Sequence, residues 1–309
     1  MVNAFTQLTW DGDTLEDARY LIRLAVREDL SNQQDWTTMA TVGDERRSSA
    51  SIVSRQSGVV AGIGIVATVF EEMNISANVD LQVADGDKLE SGTVLCTLSG
   101  LSRDLLTAER TILNFLGRLC GVATQTASYV HLLQGTGARV YDTRKTTPGW
   151  RRLEKYAVGC GGGVNHRTGL FDAILIKDNH LAANAQQNDL DDMQAAVVDV
   201  LSKARQFIAN LGPERIANTP VEIEVDTLEQ LAVALPCQPD IILLDNMSLA
   251  ELRQAVQMRD ELSIETQLEA SGGVTAETLA DIGKTGVDRV SVGALTHSAI
   301  NLDLGLDWQ

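Results

Sequence analysis

Residues 221–260 read VEIEVDTLEQLAVALPCQPDIILLDNMSLAELRQAVQMRD. VEIEVD and DIILLDN are short runs rich in Val, Ile and Leu, as strands buried on both faces are. LEQLAVAL and SLAELRQAVQMRD instead carry apolar residues at helical spacing. A strand, helix, strand, helix order predicts parallel strands joined by crossover helices. The rhythm continues on both sides. ARVYDTR (138–144), GVNHR (163–167), DAILIKDN (172–179), IETQLEASGG (264–273) and RVSVGAL (289–295) bring the candidates to seven strands, and TAETLADIG is one more intervening helix. Strands of this number and length favour a barrel or near-barrel over an open sheet, with the chemistry at the C-terminal strand ends.

Each of those ends carries a polar residue or a glycine: 142–145, His166 with Arg167, Lys177, Glu224, Asp245, Ser271-Gly272-Gly273 and Ser291-Val292-Gly293. Positive charge is concentrated there although the chain carries a formal net charge of −17. Between Arg139 and Lys177 the cations are Arg139, Arg144, Lys145, Arg151, Arg152, Lys155, Arg167 and Lys177, against Asp142, Glu154 and Asp172. One cationic pocket on an acidic protein is suited to a small polyanion. Arginine forks match carboxylate or phosphate, and lysine supplies a point charge. Arg144, Lys145, Arg167 and Lys177 each follow a strand. Arg151, Arg152 and Lys155 read equally well as pocket rim or solvated helix face. Glu224 and Asp245 suit either Mg²⁺ shared with substrate oxygens or structural ion pairs. The turns in EASGGV and SVGALTHS lead into helices, where unpaired N–H groups bind phosphate. His166 is a candidate hydrogen-bond donor or proton carrier, while His131, His180 and His297 have no obvious partners.

The first part of the chain has another texture. A helix over LEDARYLIRLAVRED, capped by Asp13 or Thr14, precedes strand pairs in ASIVSRQSGVVAG and VDLQVADGDKLESGTVLCTLSG. A long amphipathic helix then runs from about Ser102 to Leu133, with Arg103 and Arg110 on one face and a break expected near Gly121. Gly62-Ile63-Gly64 fits G-x-G-x-x-A but stands in a hairpin-rich region, which argues against a dinucleotide site.

Composition excludes several classes. The acidic balance argues against nucleic-acid or anionic-membrane partners, and 4% aromatics against base-stacking platforms. The apolar run at 59–70 falls short of the roughly 20 residues of a membrane span. With no signal-like opening and no C-x-x-C among Cys96, Cys120, Cys160 and Cys237, a cytoplasmic protein with reduced thiols is expected.

ERTILNFLGRLCGVAT, YDTRKTTPGWR, EKYAVGCGGGVNHRTGLFDAILIKDNH, VEIEVD, ILLDNM, EASGGV and SVGALTHS together resemble, in order, the motifs of the quinolinate phosphoribosyltransferases (nicotinate-nucleotide pyrophosphorylases, carboxylating). The resemblance implies an N-terminal α/β sandwich over residues 1–117 and a seven-stranded open α/β barrel over 118–309. It implies a homodimer with the site shared between subunits, and Mg²⁺ as cofactor. The implied reaction joins quinolinate and phosphoribosyl pyrophosphate to give nicotinate mononucleotide, pyrophosphate and CO₂. By the same resemblance Arg144, Arg167 and Lys177 surround quinolinate and the diphosphate. Thr143 and Lys145 complete the TRK motif, and His166 precedes the arginine. Arg110 crosses the dimer, and Glu224 and Asp245 serve ribose and metal. Ser271, Gly272, Gly273, Val292, Gly293 and Ala294 form phosphate turns. Lys145, Lys177, Glu224 and Asp245 are the expected catalytic set. Departures are Trp150 in place of leucine and a polar insertion over 182–194. Two other readings are a phosphoribosyltransferase for a monocarboxylate base such as nicotinate, and a biotinyl- or lipoyl-type module at VADGDKLESGTVLCTLSG. The latter lacks the central lysine, having Asp85-Gly86-Asp87.

Overall fold

In a computed structural model, residues 5–31, 33–187, 193–212, 218–262 and 264–309 are described. The chain divides into two units, each drawn from several segments: residues 7–128, 145–163 and 294–309 in one, and 1–6, 129–144 and 164–293 in the other.

The first of these is built on an antiparallel sheet. It contains α1 (Gly12–Leu30), α2 (Trp36–Thr41), β1 (Arg47–Ser54), β2 (Gly58–Val59), α3 (Ile65–Glu72), β3 (Asn78–Leu81), β4 (Lys88–Leu89), β5 (Val94–Leu101) and most of α4 (Ser102–Leu132). The sheet order is β12–β1–β5–β3, where β12 (Leu304–Trp308) is the C-terminal strand, and β2 pairs separately with β4. The expected cap of α1 moves two residues earlier, to Asp11, whose carboxylate accepts the Thr14 N–H (2.9 Å). The break expected at Gly121 is absent, and α4 is continuous. A Cβ at Gly121 would stand 2.1 Å from the Ile300 carbonyl oxygen, so this glycine admits a crossing chain. The segment at 145–163 carries α5 (Arg151–Cys160) and is tied to this unit through Glu154, which is fully buried. Glu154 accepts from Arg118 (2.5 Å), from the Thr147 N–H (3.0 Å) and from the Thr147 hydroxyl (2.8 Å).

Among the described residues of the other unit, six parallel strands follow the order β6–β11–β10–β9–β8–β7. They are β6 (Arg139–Tyr141), β7 (Ile174–Ile176), β8 (Val221–Val225), β9 (Ile241–Asp245), β10 (Gln267–Ser271) and β11 (Arg289–Ser291). Their helices are α6 (Asp178–Gln187), α7 (Met193–Asn210), α8 (Leu228–Ala234), α9 (Leu249–Glu261) and α10 (Ala276–Gly283). Ser248 and Glu251 start α9 with a reciprocal capping box. The polar insertion begins inside α6, and residues 188–192 lie outside the described residues.

GVNHR, the seventh expected strand, is reduced to one bridge, Tyr141 to Val164. The reason is local. After Val164 donates to the Val140 carbonyl, the next partner is a side chain: Asp142 Oδ1 accepts the His166 N–H (2.8 Å) and Oδ2 the Asn165 amide (2.8 Å).

Register places Glu224, Leu243, Glu269, Arg289 and Arg139 in one row, and Asp245 opposite Ser271 in the row above. Side chains two apart share a face, so Glu222 also lies on this one. His166, beside β6, lies 3.0 Å from Glu222 on β8. Three strands separate β6 from β8 in the sheet order, so the sheet must curl into a barrel for the two to meet.

Candidate active site

Arg144 follows β6, and the Asp142 carboxylate fixes the neighbouring Asn165-His166-Arg167 segment beside it. Arg167 is buried, and its N–H donates to His166 Nδ1 (2.8 Å). Burial, and then the like charge of Arg144, holds the Arg167 guanidinium below its ordinary pKa. The Nε–H of Arg144 is buried without a hydrogen-bond partner. Among the described residues neither arginine forms an ion pair. Glu222, Asp172 and Glu224 offset part of the charge on Arg167 from a distance, but two adjacent guanidinium groups without a direct ion pair in a partly buried setting are unfavourable unless an anion joins them.

At the other end of the sheet order, Lys177 follows β7 and its ammonium donates to Glu224 at the end of β8. Asp245 ends β9 beside it and accepts from the Asn246 amide (2.6 Å). Ser271 ends β10 opposite Asp245. Gly272 has φ +91° and Gly273 φ +59°, and a Cβ on Gly272 would fall 2.1 Å from Asn246 Oδ1. The turn therefore needs glycine for both conformation and space. Val292 donates its N–H to the Tyr141 carbonyl (2.9 Å), placing Gly293 just beyond β11. Thr143 is half-buried between the buried Asp142 and Arg144.

The barrel unit thus contains Thr143, Arg144, His166, Arg167, Lys177, Glu224, Asp245, Ser271, Gly272, Gly273, Val292 and Gly293. Lys145, Ala294 and Arg110 belong to the other unit, where Lys145 and Arg110 are exposed and the Lys145 carbonyl accepts from Thr296 (2.8 Å). In that unit Arg152 pairs with Asp17 (3.1 Å) and Lys155 is fully buried, so this helix face is not simply solvated. His180 Nδ1 accepts the Lys177 N–H (3.0 Å), a partner invisible in the sequence.

Two carboxyl groups were not singled out by sequence. Glu222 and Glu269, both fully buried, meet His166 beneath the mouth, and their ligating atoms lie within 4.8 Å of one another. Because His166 Nδ1 accepts from Arg167, its proton belongs on Nε2, which faces Glu222. Burial, with Glu222 nearby, pushes the Glu269 carboxyl up to about 7. The Ser291 hydroxyl donates to Glu269. The signal for Glu222 was present in the sequence: acids alternate along VEIEV, so Glu222 shares the face of Glu224. Elsewhere, burial pushes the Cys96, Cys120 and Cys160 thiols up to about 12, which keeps them protonated.

The barrel mouth joins an unpaired guanidinium pair, a lysine–glutamate pair and glycine turns, an arrangement for anionic and phosphorylated ligands. Residues 122–307 match the family model "Quinolinate phosphoribosyl transferase, C-terminal domain", and residues 35–120 match "Quinolinate phosphoribosyl transferase, N-terminal domain". The chain belongs to the quinolinate phosphoribosyltransferase family. It is 45% identical over 292 residues to a nicotinate-nucleotide pyrophosphorylase (carboxylating) of Mycobacterium leprae, covering 94% of this chain and 96% of that one. A probable nicotinate-nucleotide pyrophosphorylase of Bacillus subtilis is 38% identical, with 88% and 87% covered. The solved nicotinate-nucleotide pyrophosphorylase from Francisella tularensis superposes with a TM-score of 0.86 at 33% identity, covering 99% of this chain and all of that one.

Proposed function

We infer that the barrel site transfers phosphoribose from phosphoribosyl pyrophosphate to quinolinate and releases CO₂, making nicotinate mononucleotide and pyrophosphate for NAD biosynthesis. The chain is then a pentosyltransferase, like the relatives it matches. The observation that carries the reading within the site is the adjacent pair Arg144 and Arg167, buried or half-buried and, among the described residues, without a direct ion pair to a carboxylate. A base with two adjacent carboxylates supplies that partner, with charge-assisted bonds to both forks.

In the reaction the pyridine nitrogen forms a bond to C1 of the ribose as the bond from C1 to pyrophosphate breaks. The sugar becomes cation-like, so stabilising the departing diphosphate matters more than activating a nucleophile. Lys177 and Lys145 supply positive charge to it, and Glu224 keeps the Lys177 ammonium in place through their ion pair. The glycine turns at 271–273 and 292–294 hold the 5′-phosphate. Glu224 and Asp245, hard oxygen donors at neighbouring strand ends, fit Mg²⁺, which when bound would add charge beside the diphosphate and the ribose hydroxyls. Once the ring nitrogen is positive, the bond from C2 to its carboxylate breaks. The electron pair stays on C2, stabilised by the adjacent cationic nitrogen, and C2 then takes a proton. Arg167 and Arg144 orient the carboxylates and exclude water around the one that leaves.

The chain acts as a homodimer in which Arg110 serves the barrel of a second copy. Among the described residues no helix is long and apolar enough to cross a membrane, and four free cysteines suit a reducing cytoplasm. Calorimetric titration with quinolinate, nicotinate and pyridine tests the pocket. Quinolinate should bind tightest, and nicotinate binding as well as quinolinate would refute a dicarboxylate site.

A further inference from the structure

Phe5 precedes the first helix by several residues and sits in no periodic pattern, yet it is only 5% exposed and belongs to the barrel unit. Its ring stacks on His166, with centroids 4.2 Å apart and planes at 28°. The Arg289 guanidinium lies over the same ring at 5.2 Å and over Tyr141 at 4.6 Å. Phe5 clusters with Tyr141, Val164, Ala173 and Ile241. Val164 bridges to β6 at one end of the sheet, and Ala173 leads into β7 at the other. Phe5 therefore joins the two sides of the opening left where the seventh strand shrinks to a bridge.

We propose that Phe5 is a positioning residue for the acceptor site: it closes the open side of the barrel and fixes the His166 ring, through which it sets Arg167. Both ring nitrogens of His166 are engaged inside the protein. Nδ1 accepts the Arg167 N–H at 2.8 Å, and Nε2 stands 3.0 Å from Glu222. The two contacts lie on opposite edges of one flat ring, so a tilt of that ring weakens both. Phe5 covers one face of it and resists that tilt. Loss of the Arg167 contact would move the guanidinium relative to Arg144, and a small misplacement of a positioning fork is enough to weaken recognition.

The inference rests on the reading of Arg167 as a quinolinate contact, so its test includes a readout that does not depend on substrate. Phe5→Ala and Phe5→Leu are compared with the unaltered full-length protein. Kinetics should show KM for quinolinate raised about tenfold in Phe5→Ala, with KM for phosphoribosyl pyrophosphate within about twofold. Phe5→Leu restores bulk without aromatic stacking and should fall between. Nitrogen-15 imidazole spectra, assigned with His166→Asn, should show an unprotonated Nδ1 and a protonated Nε2 in the unaltered protein. Phe5→Ala should shift or broaden those His166 signals. An unchanged His166 spectrum in both variants overturns the proposal, whatever happens to activity. Equal losses in every kinetic parameter, in step with thermal stability alone, also overturn it. A shifted spectrum in a protein that fails to bind quinolinate upholds the link from Phe5 to His166 and refutes instead the assigned substrate.

Discussion

Arg167 concentrates the electrostatic logic of the site. Its guanidinium is buried beside Arg144 and is held below its ordinary pKa first by desolvation. Truncation to alanine should weaken quinolinate binding by at least about a hundredfold, the loss of a charge-assisted bidentate contact. Arg167→Lys should recover little, because an ammonium cannot present two parallel donors. Isothermal titration checks both, and near-normal affinity in Arg167→Lys would mean that charge alone is read. Glu269 gives a separate test through stability. Its carboxyl rises from an ordinary value of 4.5 to about 7 in the fold. Below pH 4.5 both folded and unfolded forms are protonated and burial costs nothing in this respect. Between 4.5 and 7 the folded state binds more protons, so stability falls as pH rises, and the full loss is present above 7. Glu269→Gln, neutral throughout, should lose less stability across that window. Denaturant melts from pH 4.5 to 8 measure it, and parallel curves would contradict the assignment.

At the scale of elements, α4 shows how packing overrides propensity. Alanine normally stabilises a helix interior by up to about 1 kcal/mol relative to glycine. At Gly121 the added Cβ meets the Ile300 carbonyl at 2.1 Å, a backbone atom that cannot swing aside. Gly121→Ala should therefore lower the melting temperature, at a cost of about 1–3 kcal/mol for overpacking, and a rise would show that the crossing chain yields easily. The sequence reading expected a break here because a helical glycine has no signature for a neighbour 179 positions away. The strand ends were more legible, since each lies within or shortly after a local apolar run, and six of the seven candidates are strands in the described fold. GVNHR differs because Asp142 takes its backbone donor, a side-chain substitution for a strand partner that no periodicity reveals. Glu222 alternates visibly with Glu224, but which face of a short parallel strand turns inward depends on closure of the whole sheet. Phe5 left no local signal, since its partners come only from distant segments.

For the whole molecule, the shared site of the proposed homodimer predicts complementation. An Arg110→Ala chain and an Arg167→Ala chain, each inactive alone, should regain activity when mixed into heterodimers, because one of the two sites then has both arginines. Failure to recover in confirmed heterodimers would place Arg110 within its own subunit or outside catalysis. The central claim is that the barrel accepts a dicarboxylate base and removes one carboxylate only after ribosylation. It is tested most directly by incubating the protein with Mg²⁺, phosphoribosyl pyrophosphate and quinolinate carrying a labelled C2 carboxylate. Labelled CO₂ should appear in a one-to-one ratio with nicotinate mononucleotide, and only when phosphoribosyl pyrophosphate is present; nucleotide formed from nicotinate without CO₂ from quinolinate would contradict it.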